Sequence, residues 1–118
     1  MKGLLNMLRH IVFAVLLITI LAGCAANEEA KNKIEDKLEQ VEAATKISDW
    51  TQAEENVKSA KKEYQKELWK MQLLGDQTSY DNLKLAIDQL KAAVKTQNKN
   101  EISSQIAKSK SYLSEIFN

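Results

Sequence analysis

Apolar residues recur at intervals of three and four from about residue 28 to the end of the chain. That is the period of helices that each bury one face. Ala30, Ile34, Leu38, Val41 and Thr45 form the first stripe and predict a helix over 28–46, with Asn27 as its cap. Ile47-Ser48-Asp49 interrupts it. Ser48 or Asp49 caps a second, longer helix, and Asp49 with Gln52 three residues on makes a capping-box pattern. Trp50, Ala53, Val57, Ala60, Tyr64, Leu68 and Met71 are its stripe, and Gly75 its C-terminal stop. A third helix starts at Thr78, which precedes Asp81 by three residues, and carries Leu83, Ala86, Ile87, Leu90 and Val94. After a turn at Gln97-Asn98-Lys99-Asn100, Asn100 caps a fourth with Ile102, Ile106, Ser109, Leu113 and Ile116. Connections this short force antiparallel neighbours. The expected fold is therefore all-α, an up-down antiparallel bundle of four helices. The alternative is three helices plus a helical stalk, since the first stripe is the narrowest and its helix the most densely charged.

An offset of 49 residues lays 38–46 over 87–95 with four identities and three conservative exchanges. The same offset sets Ile34 on Leu83, Val57 on Ile106, Ala60 on Ser109 and Tyr64 on Leu113. A duplicated helical hairpin, 28–75 and 78–118, accounts for this register. Amphipathic helices rich in Ala, Lys and Glu also align with one another by composition alone.

The N-terminal pattern is different. Lys2 and Arg9 precede a run from Ile11 to Ala22 that is apolar apart from Thr19, and the chain's single cysteine follows. A charged start, a short apolar core and small residues before a cut are the layout of a secretory signal peptide. A membrane-spanning helix needs about 20 apolar residues, which favours cleavage over an uncleaved membrane helix. Leu21-Ala22-Gly23-Cys24 resembles the bacterial lipobox. That resemblance implies a signal peptide over 1–23, a diacylglyceryl group on the Cys24 thiol, a linker over 24–27 and a domain over 28–118. The product would be held on the extracytoplasmic face of the cell membrane by lipid rather than by a span.

Composition then narrows the chemistry. Beyond residue 23 the chain has 95 residues, enough for one domain. It has no histidine or proline there, and Gly75 is its only glycine. With Cys24 acylated, the usual general base, metal ligands and nucleophile are missing, so no enzyme activity, metal or cofactor is expected. A single glycine builds no phosphate-cradling loop. Without Lys2 and Arg9, 15 basic residues stand against 16 acidic ones, and no basic surplus points to nucleic acid.

Trp69 and Leu73 fall off the second stripe, one turn apart. Three readings are open for them: contact with lipid headgroups alongside Lys66 and Lys70, closure of one end of the core, or contact with a partner protein. Trp50 and Tyr64 belong to the core stripe, with an aromatic ligand box as the alternative. Glu54, Glu55, Lys61 and Lys62 read as a solvated, salt-bridging face.

The run Ser48-Asp49-Trp50-Thr51-Gln52-Ala53, then Trp69, an acidic turn and 83–90, resembles a family of small helical proteins of unknown function from Bacillota. The resemblance covers about residues 47 to 118. It implies a membrane segment or lipobox at the N-terminus, a Trp-x-x-Ala helix start at Trp50 and Ala53, and two further amphipathic helices. Where that family often has a histidine after the second tryptophan, this chain has Gly75-Asp76. No catalytic or binding residues come with it. The expected function is a lipid-anchored interaction or scaffold module with an envelope protein as partner; the alternative is a small-ligand-binding lipoprotein. The sequence sets no oligomeric state.

Overall fold

The structure, a computed structural model, describes the backbone of residues 2–74 and 77–117, and their side chains except at 2, 16–27, 70–72 and 74. It is all-helical: α1 (Lys2–Lys46), α2 (Trp50–Leu74), α3 (Gln77–Lys95) and α4 (Lys99–Phe117). Each helix packs on the next, and α4 returns to α1, which closes a helical bundle.

α1 does not begin at Asn27. It runs unbroken for 45 residues. Ala25 and Ala26 are the strongest helix formers, and nothing between 16 and 30 removes a backbone donor as proline would, so the helix propagates through the expected linker. At 1.5 Å per residue α1 is roughly 68 Å long, and it sets the 72 Å long axis of the molecule. Its C-terminal part packs against the other helices, and Ala30, Ile34, Leu38, Val41 and Ala44 are all buried. The core joins these to Ala53, Val57, Ala60 and Tyr64 of α2, Leu83, Ile87 and Leu90 of α3, and Ile102, Ile106 and Leu113 of α4. Each fully buried leucine or isoleucine contributes about 1.5–3 kcal/mol.

The helix ends show why the chain turns where it does. Ser48 takes a left-handed φ of 58°. Its N–H donates to the Thr45 carbonyl at 3.1 Å and the Asp49 N–H to that of Ala44 at 2.9 Å. This paired closure satisfies two of α1's last carbonyls. Asp49 then accepts from the Gln52 N–H at 3.2 Å and caps α2 as expected. The sequence α3–turn–α4 repeats the arrangement. Gln97 has φ 54°; Gln97 N–H donates to the Val94 carbonyl and Asn98 N–H to that of Ala93; and Asn98 Oδ1 accepts from the Glu101 N–H at 3.2 Å. The cap of α4 is thus Asn98 rather than Asn100, because the closing hydrogen bonds leave Asn98 as the residue immediately ahead of α4, which starts at Lys99. α3 already runs from Gln77, so Thr78 lies within its first turn rather than ahead of it. Gly75, read as the stop of α2, lies outside the described residues.

The two turns stand 49 residues apart, and so do other features. Ile34 and Leu83, Leu38 and Ile87, Val41 and Leu90, Ala44 and Ala93, Ala53 and Ile102, and Val57 and Ile106 are pairs at that offset, buried in both members. Among the described residues two ion pairs cross between the halves, Lys61 to Asp88 at 2.8 Å and Lys110 to Glu39 at 3.7 Å. Shifting the first by 49 residues, forward for the lysine and back for the aspartate, gives the second. This reciprocity is the contact pattern of a twofold interface. Lys99 Nζ lies 6.0 Å from the centre of the Trp50 ring, and these two positions are also 49 apart.

Candidate functional site

α2 has 25 residues, against 19 each for α3 and α4. Its buried stripe of Ala53, Val57, Ala60 and Tyr64 faces the core, and the opposite side faces out. At 100° per residue, Lys58, Lys62, Lys66, Trp69 and Leu73 fall within an arc of roughly 80° on that outer side. Trp69 is 59% exposed and Leu73 77%. Lys62 and Lys66 are exposed as well. Lys58 meets Glu54 at 3.6 Å. Lysines four apart repel one another and weaken a helix by a few tenths of a kcal/mol per pair unless an anion sits beside them.

The placement of this strip follows from the turn at 47–49. Counting back from it along two antiparallel helices of equal rise, Trp69 comes level with about residue 27 and Leu73 with about residue 23. α4, the counterpart of α2 at the 49-residue offset, ends at Phe117, opposite Leu68. α2 therefore runs roughly 9 Å past the end of α4, with α1 and the first turn of α3, which starts at Gln77, alongside.

Of the predicted site residues, Lys66, Trp69 and Leu73 are brought together on this strip. The side chain of Lys70 and those of Leu21, Ala22, Gly23 and Cys24 lie outside the described residues. Trp50 and Tyr64 are not brought together: 14 residues of helix separate them by roughly 21 Å. Trp50 is half-buried at the far end of α2, under the Lys99 ammonium. Tyr64 is 3% exposed, and its hydroxyl donates to the Tyr80 carbonyl at 3.0 Å. Burial first, then the charges of Asp81 and Asp88 and the neighbouring Tyr80, push its pKa up to about 12. A shallow hollow between α3 and α4 is lined by Gln89, Thr96, Glu101, Gln105 and Lys108. There the buried Gln105 donates to Glu101 Oε1 at 2.6 Å.

Sequence reading missed two features. Lys58 and Lys62 continue the strip, which the four-residue spacing of the lysines signals. Lys61 is not a solvated neighbour of Lys62 but half of an interhelix clasp, and only the 49-residue register could have shown that.

Residues 25–118 match the profile of a family described as a domain of unknown function, DUF4363. The chain belongs to that family. No match was found among curated proteins or among solved structures. The DUF4363 match takes in all of α2, α3 and α4 and the bundled part of α1, so the core, both clasps and the exposed strip all lie within the family domain.

Proposed function

We propose that this DUF4363 chain is the precursor of a bacterial lipoprotein, cut after Gly23 and lipidated at Cys24. Its mature part is an up-down antiparallel four-helix bundle made of two copies of one hairpin, and it serves as an interaction module on the outer face of the cell membrane. The observation that carries this reading is the N-terminal part of α1. There Leu4, Leu5, Met7, Leu8, Ile11, Val12, Phe13 and Val15 are each 54% to 70% exposed, with no part of the bundle covering them. A contiguous apolar surface of that size calls for a membrane or a partner. The apolar run from Ile11 to Ala22 is shorter than the about 20 residues of a span, which agrees with a signal-peptide core and a cut before Cys24. The family match begins at Ala25, one residue past that cysteine.

The interaction role is favoured over a ligand box because the candidate aromatic residues are spent elsewhere. Tyr64 is held in the core by its own hydrogen bond, and Trp50 sits at the opposite pole from Trp69. What the bundle offers is long helix faces, the surface type that partner helices use. Two readouts in cells test this. Cys24→Ser should abolish incorporation of labelled palmitate and release the protein into the medium. Crosslinking of the lipidated protein should capture one dominant envelope protein. Retention of label by Cys24→Ser would refute the anchor, and capture of nothing would refute the module.

A further inference from the structure

We propose that the overhanging end of α2 is a lipid-docking foot, in which Trp69 and Leu73 enter the interface of an anionic membrane and Lys62 and Lys66 meet its headgroups. The proposal rests on the anchor at Cys24. The hairpin register brings Leu73 level with about residue 23, where the apolar run of α1 has just ended and the lipid would begin. Trp69 lies one turn above, at the depth where an indole keeps its ring in apolar surroundings and its N–H beside polar ones.

Along the strip the order of side chains matches the order of layers in a membrane crossed along its normal. Leu73 comes lowest, then Trp69, then Lys66 roughly 4.5 Å above it and within the headgroup layer, which is about 5–8 Å deep on each side, with Lys62 about 6 Å further up at the outer edge. The acidic residue on the same strip, Glu55, stands furthest away, nearly two turns above Lys62. The two exposed lysines form a like-charged pair four residues apart, with Glu63 at pairing spacing from Lys66 alone, and headgroup phosphates supply the counter-charge that Lys62 lacks at three- and four-residue spacing. Ordinary core closure explains neither feature, because both apolar side chains stay exposed with the bundle fully assembled.

The two tryptophans allow a direct test in the full-length lipidated protein. They lie 19 residues apart on one helix, roughly 28 Å, so each reports on one pole. Trp50→Phe leaves Trp69 as the only emitter, and Trp69→Phe leaves Trp50. Both forms are reconstituted into vesicles of phosphatidylcholine and phosphatidylglycerol, with and without brominated acyl chains, and recovery by flotation is measured first. Trp69 emission should fall at least about twofold on brominated vesicles, as expected for an interfacial indole, while Trp50 emission stays unchanged. Lys62→Glu with Lys66→Glu, helicity unchanged, should bring the quenching of Trp69 down toward that of Trp50. Quenching of Trp69 no greater than that of Trp50, in protein that floats, overturns the foot and leaves the anchor standing. A blue shift of Trp69 that grows with protein density, without quenching, assigns the strip to a second copy and also overturns it. Protein that fails to float refutes the anchor and the foot together.

Discussion

Tyr64 shows how a single side chain can be legible as a position and not as a role. Its place in the second stripe is plain from spacing, and its ring is buried as that spacing requires. Its hydroxyl, which an aromatic ligand box would have used, instead donates to the Tyr80 carbonyl across the α2–α3 contact. No spacing rule shows this, because the acceptor belongs to another helix. The consequence is a pH dependence with a definite sign. The folded protein holds the phenol proton up to about pH 12, whereas the unfolded chain loses it near 10. The folded state therefore binds more protons over that window, and stability is complete below pH 10 and falls as pH rises toward 12. Urea unfolding at pH 9 and pH 11.5 should show a loss on the order of 2 kcal/mol in the native protein beyond that in Tyr64→Phe. At neutral pH Tyr64→Phe itself should cost about 1 kcal/mol, the net worth of one hydrogen bond. Equal pH profiles for the two proteins would mean that the phenol is not desolvated.

At the scale of elements, the ends of helices were harder to read than their faces. Every stripe residue expected in α3 and α4 is buried, because a buried face repeats its signal over four or five turns, and the faces are wider than the stripes by Ser79, Tyr80, Ala93 and Gln105. An end is decided by one or two hydrogen bonds. Asn98 and Asn100 are both good caps by type, and what selects Asn98 is the left-handed Gln97 before it. The start of α1 was misplaced for the same reason, since Asn27 can cap a helix only if the chain before it leaves helical geometry. The two left-handed residues make a matched prediction. A side chain at such a φ costs about 1–2 kcal/mol that glycine avoids, offset in part by glycine's greater freedom when unfolded. Ser48→Gly and Gln97→Gly should each stabilise by about 0.5–1 kcal/mol. Asp49→Ala and Asn98→Ala should each cost about 1 kcal/mol. Shifts in urea midpoint measure all four, and an opposite sign for either glycine would show that the turn it occupies closes differently in solution.

For the whole molecule, the 49-residue register joins sequence to architecture. It was visible as a row of matched apolar positions, which composition alone could also have produced. The clasps recur at the same offset, as two copies of one hairpin would require. Lys61 with Asp88 and Lys110 with Glu39 tie α2 to α3 and α4 to α1 at equivalent places. A charged pair on a helix surface has no packing constraint forcing it to recur at its image. Both pairs are partly open to water, with side-chain exposures of 32% and 40% in the first and 35% and 63% in the second. Each coupling energy should therefore lie below about 1 kcal/mol, with the more enclosed Lys61–Asp88 pair the stronger. Double-mutant cycles with alanine at both partners give the two values directly. Exchanging the charges, Lys61→Asp with Asp88→Lys, should restore most of what either single reversal loses, and Lys110→Glu with Glu39→Lys should do the same at the image site. Rescue at both sites is the behaviour of two copies of one interface. Rescue at Lys61–Asp88 without rescue at Lys110–Glu39 would mean that the two sites are not equivalent, and would count against a duplicated hairpin.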